Sequence, residues 1–282
     1  MHFVDAFYTS DDGLKLYARD YRHPDPQAPV VLCLHGLTRN SKDFTQLAAH
    51  LARRYRVICP DQRGRGHSAR DPKPEQYRPE RYVQDMWRLL DSLGIRRVAL
   101  VGTSLGGLMA MMMAAQDRER IAGAVLNDIG PEIDPAGLAR IASYVGKLAP
   151  LHTWEQAVTR TAEINGCAFP DFTQADWLAM TANTYRIDDG VPSTDYDPAI
   201  AQGVANGSAA PVLWPLFERL AGVSLLSVRG ELSDLFSRRT MLQMRERMPG
   251  LATVEVPRVG HAPTLDEPQA RAAIDVFLGG LQ

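Results

Sequence analysis

Residues 3–9 and 14–21 alternate apolar and polar around Asp11-Asp12-Gly13, a pattern that predicts an antiparallel hairpin. Beyond a break at His23-Pro24-Asp25-Pro26 and Pro29, the alternation gives way to short, continuous apolar runs. Val30–Leu34, Tyr55–Cys59, Arg97–Val101 and residues 121–127 each read as a strand buried on both faces, as in a parallel sheet. Helical spacing separates these runs. Phe44, Leu47, Ala48 and Leu51 share one face behind a Ser41 cap, and Tyr82, Val83, Met86, Leu89, Leu90 and Leu93 share another that stops at Gly94. Strands resume at 223–228 and 252–257, with helices at about 237–248 and after Asp266-Glu267-Pro268. This alternation predicts right-handed crossovers, a parallel sheet and helices on both of its faces.

The rhythm breaks between 131 and 218, where no strong strand run is evident. Asp134-Pro135 predicts one helix start, and Thr153 with Gln156 predicts a capping box for a helix ending at Asn165-Gly166. Thr173 with Asp176 predicts a third helix through Trp177, Met180 and Tyr185, residues 188–197 read as an acidic turn region, and Pro211–Leu220 reads as a last helix. This stretch exceeds one crossover helix. The expected organisation is a core of residues 1–130 and 219–282, with 131–218 inserted as a helical cap and no internal repeat.

His35, Asp61, Ser104 and Asp128 all fall at predicted carboxyl ends of strands, where ligands bind in such sheets. Ser104 sits in Gly102-Thr103-Ser104-Leu105-Gly106, between an apolar run and the helix formers of 107–115. A strand, a serine between two glycines and then a helix makes a turn tight enough to project the hydroxyl from its apex. The helix start behind it offers free N–H groups to a developing oxyanion. A serine hydroxyl needs a base, and His261, held past a strand by Gly260 and Pro263, is the best placed of the seven histidines. His35, before a glycine turn, reads as a residue that shapes its loop.

His35-Gly36, Asp61-x-Arg63-Gly64-x-Gly66-x-Ser68, Gly102-x-Ser104-x-Gly106-Gly107, Arg229-Gly230-x-x-x-Asp234 and Gly260-His261 occur in that order. With them the sequence resembles the α/β-hydrolases over essentially its whole length, 131–218 standing in the place of that family's cap. The resemblance implies a mostly parallel eight-stranded sheet. It also implies Ser104 as nucleophile, His261 as base, Asp234 as orienting acid, and an oxyanion hole at the N–H groups of Leu37 and Leu105. Asp128 occupies the position that some members use for the acid instead, and Glu231 is close by. Serine at 104 argues against the branches that use aspartate there. Acyl chemistry on esters, lactones, thioesters or amides remains, together with C–C hydrolysis, acyl transfer, or a slow-turnover receptor on the same fold. A carboxylic ester hydrolase for a small, partly apolar substrate is the expectation. Trp154, Trp177, Tyr185 and Trp214, with Phe169 and Phe172, are candidates for an apolar pocket, although packing among cap helices would use the same residues.

Composition narrows the picture further. Lys+Arg at 31 against Asp+Glu at 33 leaves no excess charge to attract nucleic acid or an anionic membrane. Gly64-Arg65-Gly66-His67-Ser68-Ala69 matches a loose dinucleotide fingerprint, but Asp71-Pro72-Lys73-Pro74 follows where a helix should open, so it reads as a loop braced by Asp61 and Arg63. No phosphate-binding loop or metal-ligand spacing is present, and neither cofactor nor metal is expected. The first residues lack the features of a secretory signal, no apolar run would span a membrane, and three scattered cysteines fit a reduced, cytoplasmic protein. Oligomeric state is left open.

Overall fold

The computed structural model describes residues 2–147, 149–203 and 212–281. The chain opens with the expected hairpin, β1 (Val4–Thr9) and β2 (Lys15–Tyr21), then alternates β3 (Val30–Leu34), α1 (Thr45–Leu51), β4 (Arg56–Asp61), α2 (Pro79–Ser92), β5 (Val98–Thr103), α3 (Leu105–Gln116) and β6 (Ile121–Asn127). Next come α4 (Pro135–Tyr144), α5 (Trp154–Asn165), α6 (Gln174–Thr184), β7 (Tyr185–Asp188), β8 (Val191–Thr194) and α7 (Trp214–Glu218). The series closes with β9 (Leu225–Gly230), α8 (Arg238–Arg247), β10 (Ala252–Val256) and α9 (Pro268–Gly279). Eight strands form one sheet in the order β1-β2-β4-β3-β5-β6-β9-β10. The β1–β2 and β2–β4 pairs are antiparallel and the others parallel, as expected from the continuous apolar runs.

Period-two alternation splits each buried strand between two helical layers. Leu32, Leu34 and Leu100 pack with residues of α2 and α3, whereas Val31, Cys33, Val101 and Val125 pack with residues of α1 and α9. α3 lies between the sheet and other elements, so its Met109, Ala110, Met111, Met113 and Ala114 are all buried and it shows no polar stripe. The turn between β5 and α3 works only with glycine. A Cβ on Gly106 would collide with the Leu34 carbonyl, and one on Gly102 with the Gly106 carbonyl.

Several local expectations are corrected. Asn40, not Ser41, caps the turn before α1, its side chain accepting from Lys42 N–H. Thr153 does cap α5, but Gln156 reaches back to the His152 N–H, so the box is not reciprocal; at Thr173 and Asp176 it is. Residues 188–197 are not all turn, because β7 and β8 form an antiparallel hairpin. Asp189 (φ 48°) and Gly190 (φ 82°) supply its two left-handed turn positions, a Asp-Gly signal present in the sequence. Tyr185 begins β7 rather than ending α6, and α7 is shorter than Pro211–Leu220, whose first residue lies outside the described residues. No helix among the described residues is long and apolar enough to cross a membrane.

Candidate active site

Parallel register brings the key residues to one level. Thr103 on β5 pairs with Asn127 on β6, so Ser104 and Asp128 leave adjacent strands together. The Ser104 N–H donates to the Asn127 carbonyl at 2.9 Å, and the Asp128 N–H donates to the Val228 carbonyl at 2.8 Å. Both residues are left-handed in φ, at 53° each, a conformation that costs energy for a residue with a Cβ. Ser104 thereby points its hydroxyl out of the strand-to-helix turn.

His261 joins them. Its Nε2 lies 3.0 Å from Ser104 Oγ and its Nδ1 lies 2.7 Å from Asp128 Oδ2. The carboxylate is fully buried, and its remaining capacity is met by the Gly230 N–H at 2.8 Å and the Ser233 hydroxyl at 2.6 Å. With Nδ1–H donated to Asp128, Nε2 is left as the acceptor for the serine proton.

Asp234, the expected partner of His261, does not make that contact. Arg140 on α4 takes both of its oxygens, with Nε at 2.5 Å and Nη2 at 2.9 Å, and the guanidinium holds the carboxyl below its usual range. Asp128, the alternative, stands where Asp234 was expected. Glu231 is occupied too, accepting from the Arg258 N–H. Gly230, noted in the sequence as part of the Arg229-Gly230 motif, and Ser233, which nothing in the sequence sets apart, complete the Asp128 shell.

The loop after β3 faces the serine: a Cβ built on Gly36 would lie 3.9 Å from Ser104 Cβ. His35 is buried and neutral, burial pushing its pKa down to about 3. Its Nδ1–H donates to the Gly36 carbonyl at 2.7 Å, and Nε2 accepts from the Gln62 N–H at 3.1 Å. The Arg39 N–H also donates to the Gly36 carbonyl, at 3.2 Å. Pinning that carbonyl turns the opposite end of the same trans peptide, the Leu37 N–H, the other way. Arg65 fixes the next peptide, its Nε donating to the Leu37 carbonyl at 2.9 Å. Leu105 is the first residue of α3, so its N–H has no partner within the helix. Asp61 braces the glycine loop as expected, accepting from the Ser41 and His67 N–H groups at 2.7 and 2.9 Å. Arg63, also in that loop, is buried against Asp12, Asp71 and Asp85.

Ser104 and His261 line a cavity of about 580 Å³ between the sheet edge and the segment following β6. Ile141, Ile164, Phe169, Phe172 and Met180 give it apolar walls, while Arg39, Tyr144 and Tyr196 add polar groups. Of the four residues singled out for the pocket, only Tyr185 lines it. Trp154 packs instead on Leu151, Ala157 and Tyr185, and the Trp177 ring rests 4.9 Å from that of Phe172. Trp214 donates to Glu132 and carries the Arg247 guanidinium on its face. Trp154 and Trp177 thus pack on residues of the 131–218 stretch, whereas Trp214 belongs to the main core and also contacts Arg247 on α8. Among the described residues no cluster of His, Cys, Asp and Glu could hold a metal ion.

The alpha/beta hydrolase fold family model matches residues 29–268. The chain is 36% identical over 269 residues to a 3-hydroxybutyrate-oligomer hydrolase of Cupriavidus necator, covering 91% of this chain and 90% of that one. It is 30% identical over 236 residues to a 2-(acetamidomethylene)succinate hydrolase of Mesorhizobium japonicum, covering 83% and 81%. A crystal structure of an alpha/beta hydrolase from Novosphingobium aromaticivorans superposes with a TM-score of 0.93 at 44% identity, covering 99% of each chain. With this sheet order and a serine at the turn after its central strand, the chain belongs to the α/β-hydrolase family.

Proposed function

We propose that the protein is a serine hydrolase of carboxylic esters, acting through an acyl-enzyme on short, partly apolar substrates. The observation that carries this reading is the unbroken hydrogen-bond chain from Ser104 through His261 to buried Asp128, opening on a cavity. In this mechanism Ser104 Oγ attacks the ester carbonyl as His261 Nε2 takes its proton, and Asp128 steadies the imidazolium through Nδ1–H. The Leu37 and Leu105 N–H groups hold the oxyanion. Collapse breaks the C–O bond, His261 gives its proton to the departing alcohol, and water repeats the sequence on the acyl-Ser104 ester.

The apolar walls and the volume of about 580 Å³ suit a short oligomer rather than a polymer. The relative from Cupriavidus necator, whose name specifies 3-hydroxybutyrate oligomers, supports oligoesters of hydroxy acids as the substrate class. Free Cys33, Cys59 and Cys167 support a reducing, cytoplasmic setting. The test is chromatographic release of monomer from the 3-hydroxybutyrate trimer. Turnover by the wild type that disappears in Ser104→Ala and His261→Ala is expected, whereas turnover surviving in Ser104→Ala would exclude the mechanism.

A further inference from the structure

Tyr144, the last residue of α4, lines the same cavity as Ser104 and His261. Ile141, one turn earlier on the same face, forms apolar wall beside the phenol. Among the described residues no group hydrogen-bonds to its hydroxyl. Burial raises its pKa, keeping it a neutral O–H donor, against the opposing pull of two nearby guanidinium groups, those of Arg140 and Arg39. The Tyr144 hydroxyl, half-buried on the cavity wall, is thus a free donor for an acceptor that an occupant of the cavity supplies.

Both guanidinium groups are anchored rather than loose. Arg140 is held by Asp234, on the loop whose Ser233 also bonds Asp128. Arg39 is held by Asp43 through Nε at 2.7 Å and Nη2 at 2.6 Å, and by Thr184 through Nη1 at 2.7 Å. A guanidinium has five N–H donors, so each retains some after these bonds. A phenol donor and the anchored Arg39 guanidinium lining one cavity are complementary to an anionic oxygen pair more than to a neutral carbonyl.

We propose that Tyr144, together with Arg39 on the same cavity wall, receives the free carboxylate of an ester acid whose scissile carbonyl sits at Ser104. Tyr144 is then a specificity-determining residue that selects acid-terminated oligoesters over their neutral esters. This deepens the ester-hydrolase reading and rests on it for the placement of the scissile bond.

The experiment compares the 3-hydroxybutyrate dimer, as free acid, with its methyl ester in wild type and Tyr144→Phe. The wild type is expected to favour the acid in kcat/KM, and Tyr144→Phe to reduce that preference by about tenfold or more, mainly through KM. An acid-to-ester ratio unchanged by Tyr144→Phe would overturn the proposal, as would a wild type with no preference. Calorimetric binding of 3-hydroxybutyrate to Ser104→Ala, with and without Tyr144→Phe, reads the subsite without turnover. A loss of about tenfold in affinity is expected, and equal affinity would overturn the subsite. If the acid binds in a Tyr144-dependent way while neither dimer is cleaved by the wild type, the hydrolase reading fails and the subsite stands. Melting curves confirm that Tyr144→Phe, which keeps the ring, is folded.

Discussion

Two carboxylates influence His261, and their hydrogen bonds separate their roles. Asp128 bonds the ring, whereas Asp234 spends both oxygens on Arg140. Asp128→Asn is therefore expected to lower kcat on p-nitrophenyl butyrate by about 10³–10⁴-fold, and Asp234→Asn by less than about tenfold. The reverse order would return the acid to Asp234. Both residues follow a strand and precede His261, and the family resemblance points first to Asp234. What decides between them is the register of β5 on β6, which a single sequence does not display. His35 carries a second prediction at this scale. Its native pKa of about 3, against about 6.5 unfolded, means that the unfolded chain binds the extra proton between those values. Its contribution is complete above pH 6.5 and is lost as pH falls. Urea unfolding of His35→Gln should lose about 2 kcal/mol less stability than wild type between pH 6.5 and 4.5. Equal losses would show that His35 is not buried neutral.

Among elements, the turn from β5 into α3 is the least tolerant. Gly106→Ala must displace the Leu34 carbonyl on β3, and a loss of about 3 kcal/mol or more is expected in urea unfolding. A near-neutral effect would mean that the turn is looser than described. The Arg140–Asp234 pair ties α4 to the loop after β9, but Asp234 is about one-third exposed. Solvent screening limits the coupling to about 0.5–1 kcal/mol, measurable by a double-mutant cycle with Arg140→Met and Asp234→Asn. The helix starts at Asp134, Thr153 and Thr173 were legible because a capping side chain acts locally. The β7–β8 hairpin was missed although Asp189-Gly190 announces it, because its four-residue strands carry Arg186, Asp188 and Pro192 in place of an apolar run.

At the scale of the molecule, the sheet was readable because its inner strands are covered on both faces and leave uninterrupted apolar runs in the sequence. The serine turn and His261 were readable because glycines and strand ends constrain them locally. The cavity was not. Its walls come from helices, connecting loops and the β7–β8 hairpin, whose packing is decided in three dimensions, so Phe169, Phe172 and Tyr185 line it while Trp154, Trp177 and Trp214 do not. At the centre of the proposed mechanism stands the activation of Ser104 through His261 by Asp128. It is tested most directly by the rate at which a fluorophosphonate labels Ser104, read by mass spectrometry of the mapped peptide. A stoichiometric adduct on Ser104 is expected to form readily in wild type and Asp234→Asn and at least about a hundredfold more slowly in Asp128→Asn. Labelling of Asp128→Asn at the wild-type rate would contradict it.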